Sequence, residues 1–212
     1  MRFFRWIKSL FVKPVPQVEN RPEVGMDPTP QGTPASPDWS YIWQNVALDK
    51  SAEQAAQKVA EQIISNYKRY IEVQRITGVP WWFTAALHYR ESSLNFAGCL
   101  HNGERILGSG KKTSLVPKGR GPFTNWEEAA VDALRLKNYH QYTDWSIPTA
   151  MARAERFNGL GYRKTGEYSP YVLAGTNWHD ETGKYVRDGK YDSNAIEKQL
   201  GVVAIWLALK VK

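Results

Sequence analysis

From Ala52 onward, apolar side chains return every three or four positions. Ala52, Ala55, Ala56, Val59, Ile63, Tyr67 and Ile71 form one stripe, which predicts a single helix running to about Thr77. Ser51 with Gln54 reads as a capping box at its start, and Gly78 ends it. Pro80 then suits the first turn of a second helix, PWWFTAALHYRESSLN. A third is predicted after Thr124 or Asn125, through Trp126, Ala130, Leu134 and Leu136. Glu127 and Glu128 fall in its first turn, where negative charge suits the helix dipole. The fourth starts at Pro148 and stops at Asn158-Gly159, and a last one is expected from about Ser193 through GVVAIWLAL. Between these two lies a stretch rich in Gly, Tyr and Asn, 159–192, with turn signals at Thr182-Gly183 and Asp188-Gly189. The pattern predicts a mainly α domain over 39–212, with a small irregular or hairpin-bearing insert.

The chain before Trp39 follows different rules. Residues 1–13, MRFFRWIKSLFVK, carry Arg2, Arg5, Lys8 and Lys13 and no acid. On a helix Phe3, Ile7, Leu10 and Phe11 would share one face, which predicts a basic amphipathic segment that docks on a membrane surface or a partner protein. Lys8 interrupts the apolar stretch and no small-x-small site follows, so no cleavable signal peptide is expected. Residues 14–38 read as a Pro-rich linker, because seven of the twelve prolines lie between Pro14 and Pro37 and leave no room for a helix or a ladder.

Composition then removes several classes. Among 212 residues, a single Cys excludes an intrachain disulfide framework and a multi-thiolate zinc site. The four histidines show no ligand spacing, so neither a metal nor a cofactor is expected. The longest apolar run, Val202 to Leu209, is far short of the ~20 residues that span a bilayer. Gly108-Ser109-Gly110-Lys111-Lys112-Thr113 fails as a phosphate loop, since Arg105 stands where the first Gly is needed and Lys112 where Ser or Thr is needed. A net charge of +7 favours an anionic partner. The basic residues are spread along the chain with no nucleic-acid module, so no specific nucleic acid is expected. Nine Trp and eleven Tyr suit flat or hydroxylated ligands.

The chemistry concentrates at His88-Tyr89-Arg90-Glu91-Ser92-Ser93-Leu94-Asn95. Glu91 would stand near the end of an apolar helix with Trp82, Phe83 and Leu87 around it. Such a wall disfavours the ionised carboxylate and raises its pKa, as a general acid at neutral pH requires. Glu-Ser-Ser followed by an apolar residue and Asn resembles the catalytic-glutamate motif of lytic transglycosylases and goose-type lysozymes. Glu155-Arg156-Phe157-Asn158-Gly159-Leu160-Gly161-Tyr162 resembles the Asn-Gly element lining their saccharide cleft, and Ser169-Pro170-Tyr171 follows with another tyrosine. With Leu100-His101-Asn102-Gly103-Glu104, Gly121-Pro122-Phe123-Thr124 and Trp126-Glu127-Glu128-Ala129, the chain is similar over 79–205 to phage and bacterial lysozyme-like proteins.

The resemblance implies a lysozyme-like fold and cleavage of the MurNAc–GlcNAc β-1,4 bond of bacterial peptidoglycan, with Glu91 as acid. It also implies a phage-encoded enzyme that acts at the bacterial cell wall, either as an endolysin or attached to the virion. Glu104 is the second carboxylate expected to act, as a base that activates water in an inverting hydrolysis. The resembling group often carries Asp there. Without such a base, the substrate's own C6 hydroxyl attacks and leaves an anhydro sugar, the lytic transglycosylase outcome. Asn158, Tyr162, Tyr171 and Asn177 are the candidate saccharide contacts, as amides and phenols that bond sugar hydroxyls or rings that cover pyranose faces. Two other classes stay open at this point. One is a thiol peptidase or amidase built on Cys99 with His101, His140 or His179. The other is a non-enzymatic basic virion protein that docks on membrane or nucleic acid.

Overall fold

A computed structural model describes residues 35–180, 182–187 and 189–212. The amphipathic segment 1–13 and most of the linker 14–38 lie outside the described residues. Eight α-helices appear among the described residues: α1 (Trp39–Asn45), α2 (Glu53–Ser65), α3 (Tyr67–Thr77), α4 (Trp81–Ser92), α5 (Trp126–Leu136), α6 (Ile147–Asn158), α7 (Pro170–Leu173) and α8 (Val202–Leu209). Strands β1 (Thr182–Arg187) and β2 (Lys190–Ile196) pair antiparallel as a hairpin before α8, with the register shifting between Thr182 and Lys184 and again between Tyr185 and Arg187. The mainly helical architecture with a hairpin is as predicted.

Helix α4 is the centre of the fold. Trp81 and every residue from Phe83 to His88 are buried, so this helix is apolar nearly all round and needs neighbours on most of its surface. It receives α3 and α8, while α2 packs on α8, α3 on α5, α1 on α6 and α7 on α8. Trp206 of α8 meets the Trp82 ring edge-on at 5.1 Å and donates its indole N–H to the Trp82 carbonyl. Beneath the long loop between α4 and α5, Cys99, Ile106, Phe123 and Ala129 form a small second core.

Several boundaries differ from the sequence reading, each for a local reason. The single helix expected to Thr77 is two helices, because Asn66 leaves helical geometry at φ −107 and ψ 14, and its main-chain N–H turns back to Ile63. The Ser51–Gln54 capping box does not form; Ala52 is the N-cap and no side chain caps α2. The last helix begins at Val202 rather than near Ser193, because Lys190–Ile196 is taken into strand β2. Helix α1 was not expected; Asp38 caps it by accepting the Tyr41 N–H. The start of α5 agrees, with Asn125 as N-cap accepting from the Glu128 N–H.

Candidate active site

Glu91 sits in the last turn of α4, where the chain must reverse sharply. Ser93 and Leu94 both take left-handed backbone (φ 52 and 61), and their N–H groups return to the Tyr89 and His88 carbonyls. This pair of bonds closes the helix end. The following turn folds back onto the same place. Gly103, at φ +76, lies so close to α4 that a Cβ there would come within 2.4 Å of the Glu91 main-chain oxygen. Only glycine lets the Asn102–Glu104 backbone lie against the helix behind the acid.

The Glu91 side chain opens into a cavity of about 400 Å³, lined by His101, Asn102, Val116, Pro117, Ala133, Leu136, Lys137, Phe157, Asn158 and Gly159. Burial pushes its carboxyl up to about 7; the Tyr171 hydrogen bond, Arg90 and Lys137 pull the other way and only partly offset this. The Tyr171 phenol donates to Glu91 Oε1 at 2.8 Å. Arg90 lies over the Tyr171 ring at 4.8 Å and donates to the Gln199 and Leu200 carbonyls. Its guanidinium also faces Glu197 at 3.6 Å, with both side chains under a tenth exposed. The acid is therefore held by a tyrosine, which an arginine fixed to the start of α8 holds in turn.

This arrangement predicts the effect of Tyr171→Phe. The phenol stabilises the ionised carboxylate, so its loss should move the Glu91 pKa further above 7. The alkaline fall in kcat/KM should then shift to higher pH, which a pH–rate profile reads directly. A limb that stays in place or moves to lower pH would count against this role.

Glu104 is close to Glu91 in the fold but is engaged elsewhere. Its carboxylate accepts from the Ser114 hydroxyl and N–H, the Leu115 N–H and the Asn102 amide. The Ser114 hydroxyl above all, with these main-chain N–H groups and Asn102, holds it down to about 2. It clips the 104–115 loop shut and does not line the cavity, so the geometry is that of a loop clamp and not of a base poised for water.

The saccharide candidates divide. Asn158 is exposed on the rim between the Glu91 cavity and a second cavity, and lines both. Tyr171 and Tyr162 line the second cavity but are buried, and the Tyr162 hydroxyl accepts the Tyr185 N–H. Asn177 is not brought to either cavity. Its amide accepts the Ala47 N–H and donates to the Asn45 carbonyl, which ties the end of α1 to the chain after α7.

The Asn158–Gly159 turn is held by a buried ion pair. Arg163 bonds the Glu155 carboxylate through Nε and Nη2, with both side chains only 3% exposed. Gly159 at φ +109 and ψ 153 occupies backbone that suits glycine alone.

The rival residues are placed otherwise. Cys99 is fully buried and burial pushes its thiol up, which removes the thiolate that a nucleophile needs. His101 lines the Glu91 cavity, with Nε2 on Asp132 at 2.8 Å and its ring stacked on Phe123. Arg120 also bonds Asp132 through its guanidinium. Burial holds His101 below its ordinary pKa despite the carboxylate beside it. No cluster of three metal-binding side chains appears among the described residues, and no helix there is long and apolar enough to cross a membrane.

Sequence reasoning named Arg90 and Gly103 only within motifs and His101 only within a motif and as a partner for Cys99. It gave none of them a role beside Glu91, and did not name Lys137. Gly103 alone carried a signal, as the turn residue between Asn102 and Glu104. The partners of the others lie far along the chain. No protein-family model matches this chain, and no curated protein or solved structure does.

Proposed function

We propose that the protein is a lysozyme-like enzyme that cleaves the β-1,4 bond between MurNAc and GlcNAc in bacterial peptidoglycan, with Glu91 as general acid. The observation that carries this reading is a buried carboxyl, pushed up to about 7, that opens into one of two neighbouring cavities sharing Asn158 and Gly159. Glu91 donates its proton to the glycosidic oxygen, the C1–O bond breaks, and an oxocarbenium-like centre develops at C1. The leaving sugar departs as an alcohol and Glu91 is left ionised. Two adjoining cavities suit a chain of linked sugars better than a single small metabolite.

The engagement of Glu104 favours one completion over the other. Besides Glu91, the only carboxylate lining either cavity among the described residues is Glu197, which faces Arg90. Among the described residues, no second carboxylate at either cavity is without a partner. In the completion we favour, the C6 hydroxyl of the MurNAc residue attacks its own C1 and returns a proton to Glu91, giving a 1,6-anhydro sugar without consuming water. By the same reading the enzyme is a phage lysin acting on the cell wall.

Mass spectrometry of fragments released from purified sacculi tests both parts. Products one water lighter than reducing muropeptides are expected. Reducing MurNAc ends would replace the C6 attack by hydrolysis, and sacculi whose glycan stays intact would overturn the enzymatic reading in favour of a docking protein.

A further inference from the structure

The second cavity, of about 610 Å³, lies beyond Asn158 and Gly159 from Glu91. Its walls are the short turn Gly161–Lys164 and the hairpin residues Tyr185, Val186, Arg187 and Gly189. The two walls are clipped together, since Tyr185 donates its N–H to the Tyr162 hydroxyl and its own hydroxyl to the Gly161 carbonyl. On the floor, Arg90 and Glu197 face each other and cancel in charge. The remaining charged groups are Lys164 from the turn and Arg187 from the hairpin. Both are exposed, and among the described residues neither makes an ion pair. Among the described residues this cavity therefore offers two cations that no ion pair balances, beside flat aromatic rings and next to a site whose own chemistry requires neither.

We propose that this hairpin cavity binds the carboxylate-bearing peptide branch of the glycan strand. The inference rests on the peptidoglycan reading. A sugar chain crossing Asn158–Gly159 with its scissile bond at Glu91 carries substituents into the neighbouring space. An uncharged sugar has no need of two cations, whereas a peptide with free carboxylates matches them. Exposed cations of this kind add modest affinity each and mainly select and steer an anionic branch. The hairpin is on this view the part of the fold that tells substituted glycan from bare glycan.

The test is co-sedimentation of the Glu91→Gln protein with intact sacculi and with sacculi stripped of peptides by an amidase. Binding about tenfold tighter to intact sacculi is expected. K164A/R187A on the same background should lower binding to the stripped level, and K164R/R187K should restore the preference. K50A/K58A removes the same net charge at exposed positions that line neither cavity, and should leave the preference in place. Equal binding to both sacculi, or equal loss from the two alanine pairs, would overturn the inference, the latter by showing bulk charge at work. Failure of the enzymatic reading shows separately, as absence of cleavage by the wild-type chain, because the binding comparison does not depend on turnover.

Discussion

Glu91→Gln should abolish most glycan cleavage, by about 10²- to 10⁴-fold, while leaving a protein that is more stable than wild type above pH 7. The loss follows from removing the proton donor while keeping the side chain's shape, including an amide oxygen able to accept the Tyr171 hydroxyl. The gain follows from linkage. Folding raises the Glu91 carboxyl from its ordinary 4.5 to about 7 through burial. Between those pH values the folded chain keeps a proton that the unfolded chain has released. Stability is therefore fully present below the lower value and declines as pH rises through the upper one, by about 3 kcal/mol in all. Glutamine does not titrate and escapes this decline. Urea unfolding at pH 4 and pH 8 should show the two proteins diverging with pH, and clearing of permeabilised cells should show the loss of activity. Retention of more than a tenth of the activity would remove Glu91 as the acid.

Glu155→Ala is expected to cost about 3–5 kcal/mol of stability, the largest effect anticipated from a residue that touches no substrate. The carboxylate accepts from both Nε and Nη2 of Arg163, both side chains are almost wholly buried, and deletion removes the negative charge of that pair from a region that water reaches poorly. The Ser36 hydroxyl also accepts from Arg163. The damage should extend to the site, because the pair closes the loop that presents Asn158 and Gly159. For a chain of this size the change corresponds to a fall in Tm of roughly 10 °C. Glu155→Gln keeps a hydrogen-bond acceptor and should lose less. A loss below about 1 kcal/mol for Glu155→Ala would mean that the loop relaxes and wets the arginine.

Of these two residues, the sequence singled out Glu91 and gave no sign of the buried pair at Glu155. Glu91 could be read from a local cue, an acid at the end of an apolar helix. Its surroundings, however, come from distant segments, Ala133, Leu136, Lys137, Phe157 and Tyr171, and not from Trp82, Phe83 and Leu87 as that cue suggested. Asn125 with Glu128 could also be read from a local cue, since a cap is made within four residues. Glu104 illustrates the opposite case. Its spacing from Glu91 suggested a pair of catalytic carboxylates, yet Ser114 and Leu115, ten and eleven residues on, claim it through hydrogen bonds that no short-range pattern displays. Asn177 was misplaced for a similar reason, as its partners Asn45 and Ala47 lie some 130 positions away. Apolar periodicity ran unbroken through Asn66 and hid the break between α2 and α3. The stretch near Ser193 was assigned to the last helix because strand pairing with β1 leaves no local mark on so polar a segment.

The bond from Arg90 to the carbonyls of Gln199 and Leu200 spans 109 and 110 positions. It bears on the order in which the chain is made. Every residue lining the Glu91 cavity has been synthesised by Gly159, and Tyr171 follows soon after. The carbonyls that fix Arg90, and the Trp206 side chain that buttresses Trp82, arrive only with the start of α8. A growing chain thus contains every residue around Glu91 while still lacking the strut that fixes Arg90, and closing so long a loop must wait for both ends. On the proposed reading, alignment of the acid waits for the segment that begins α8.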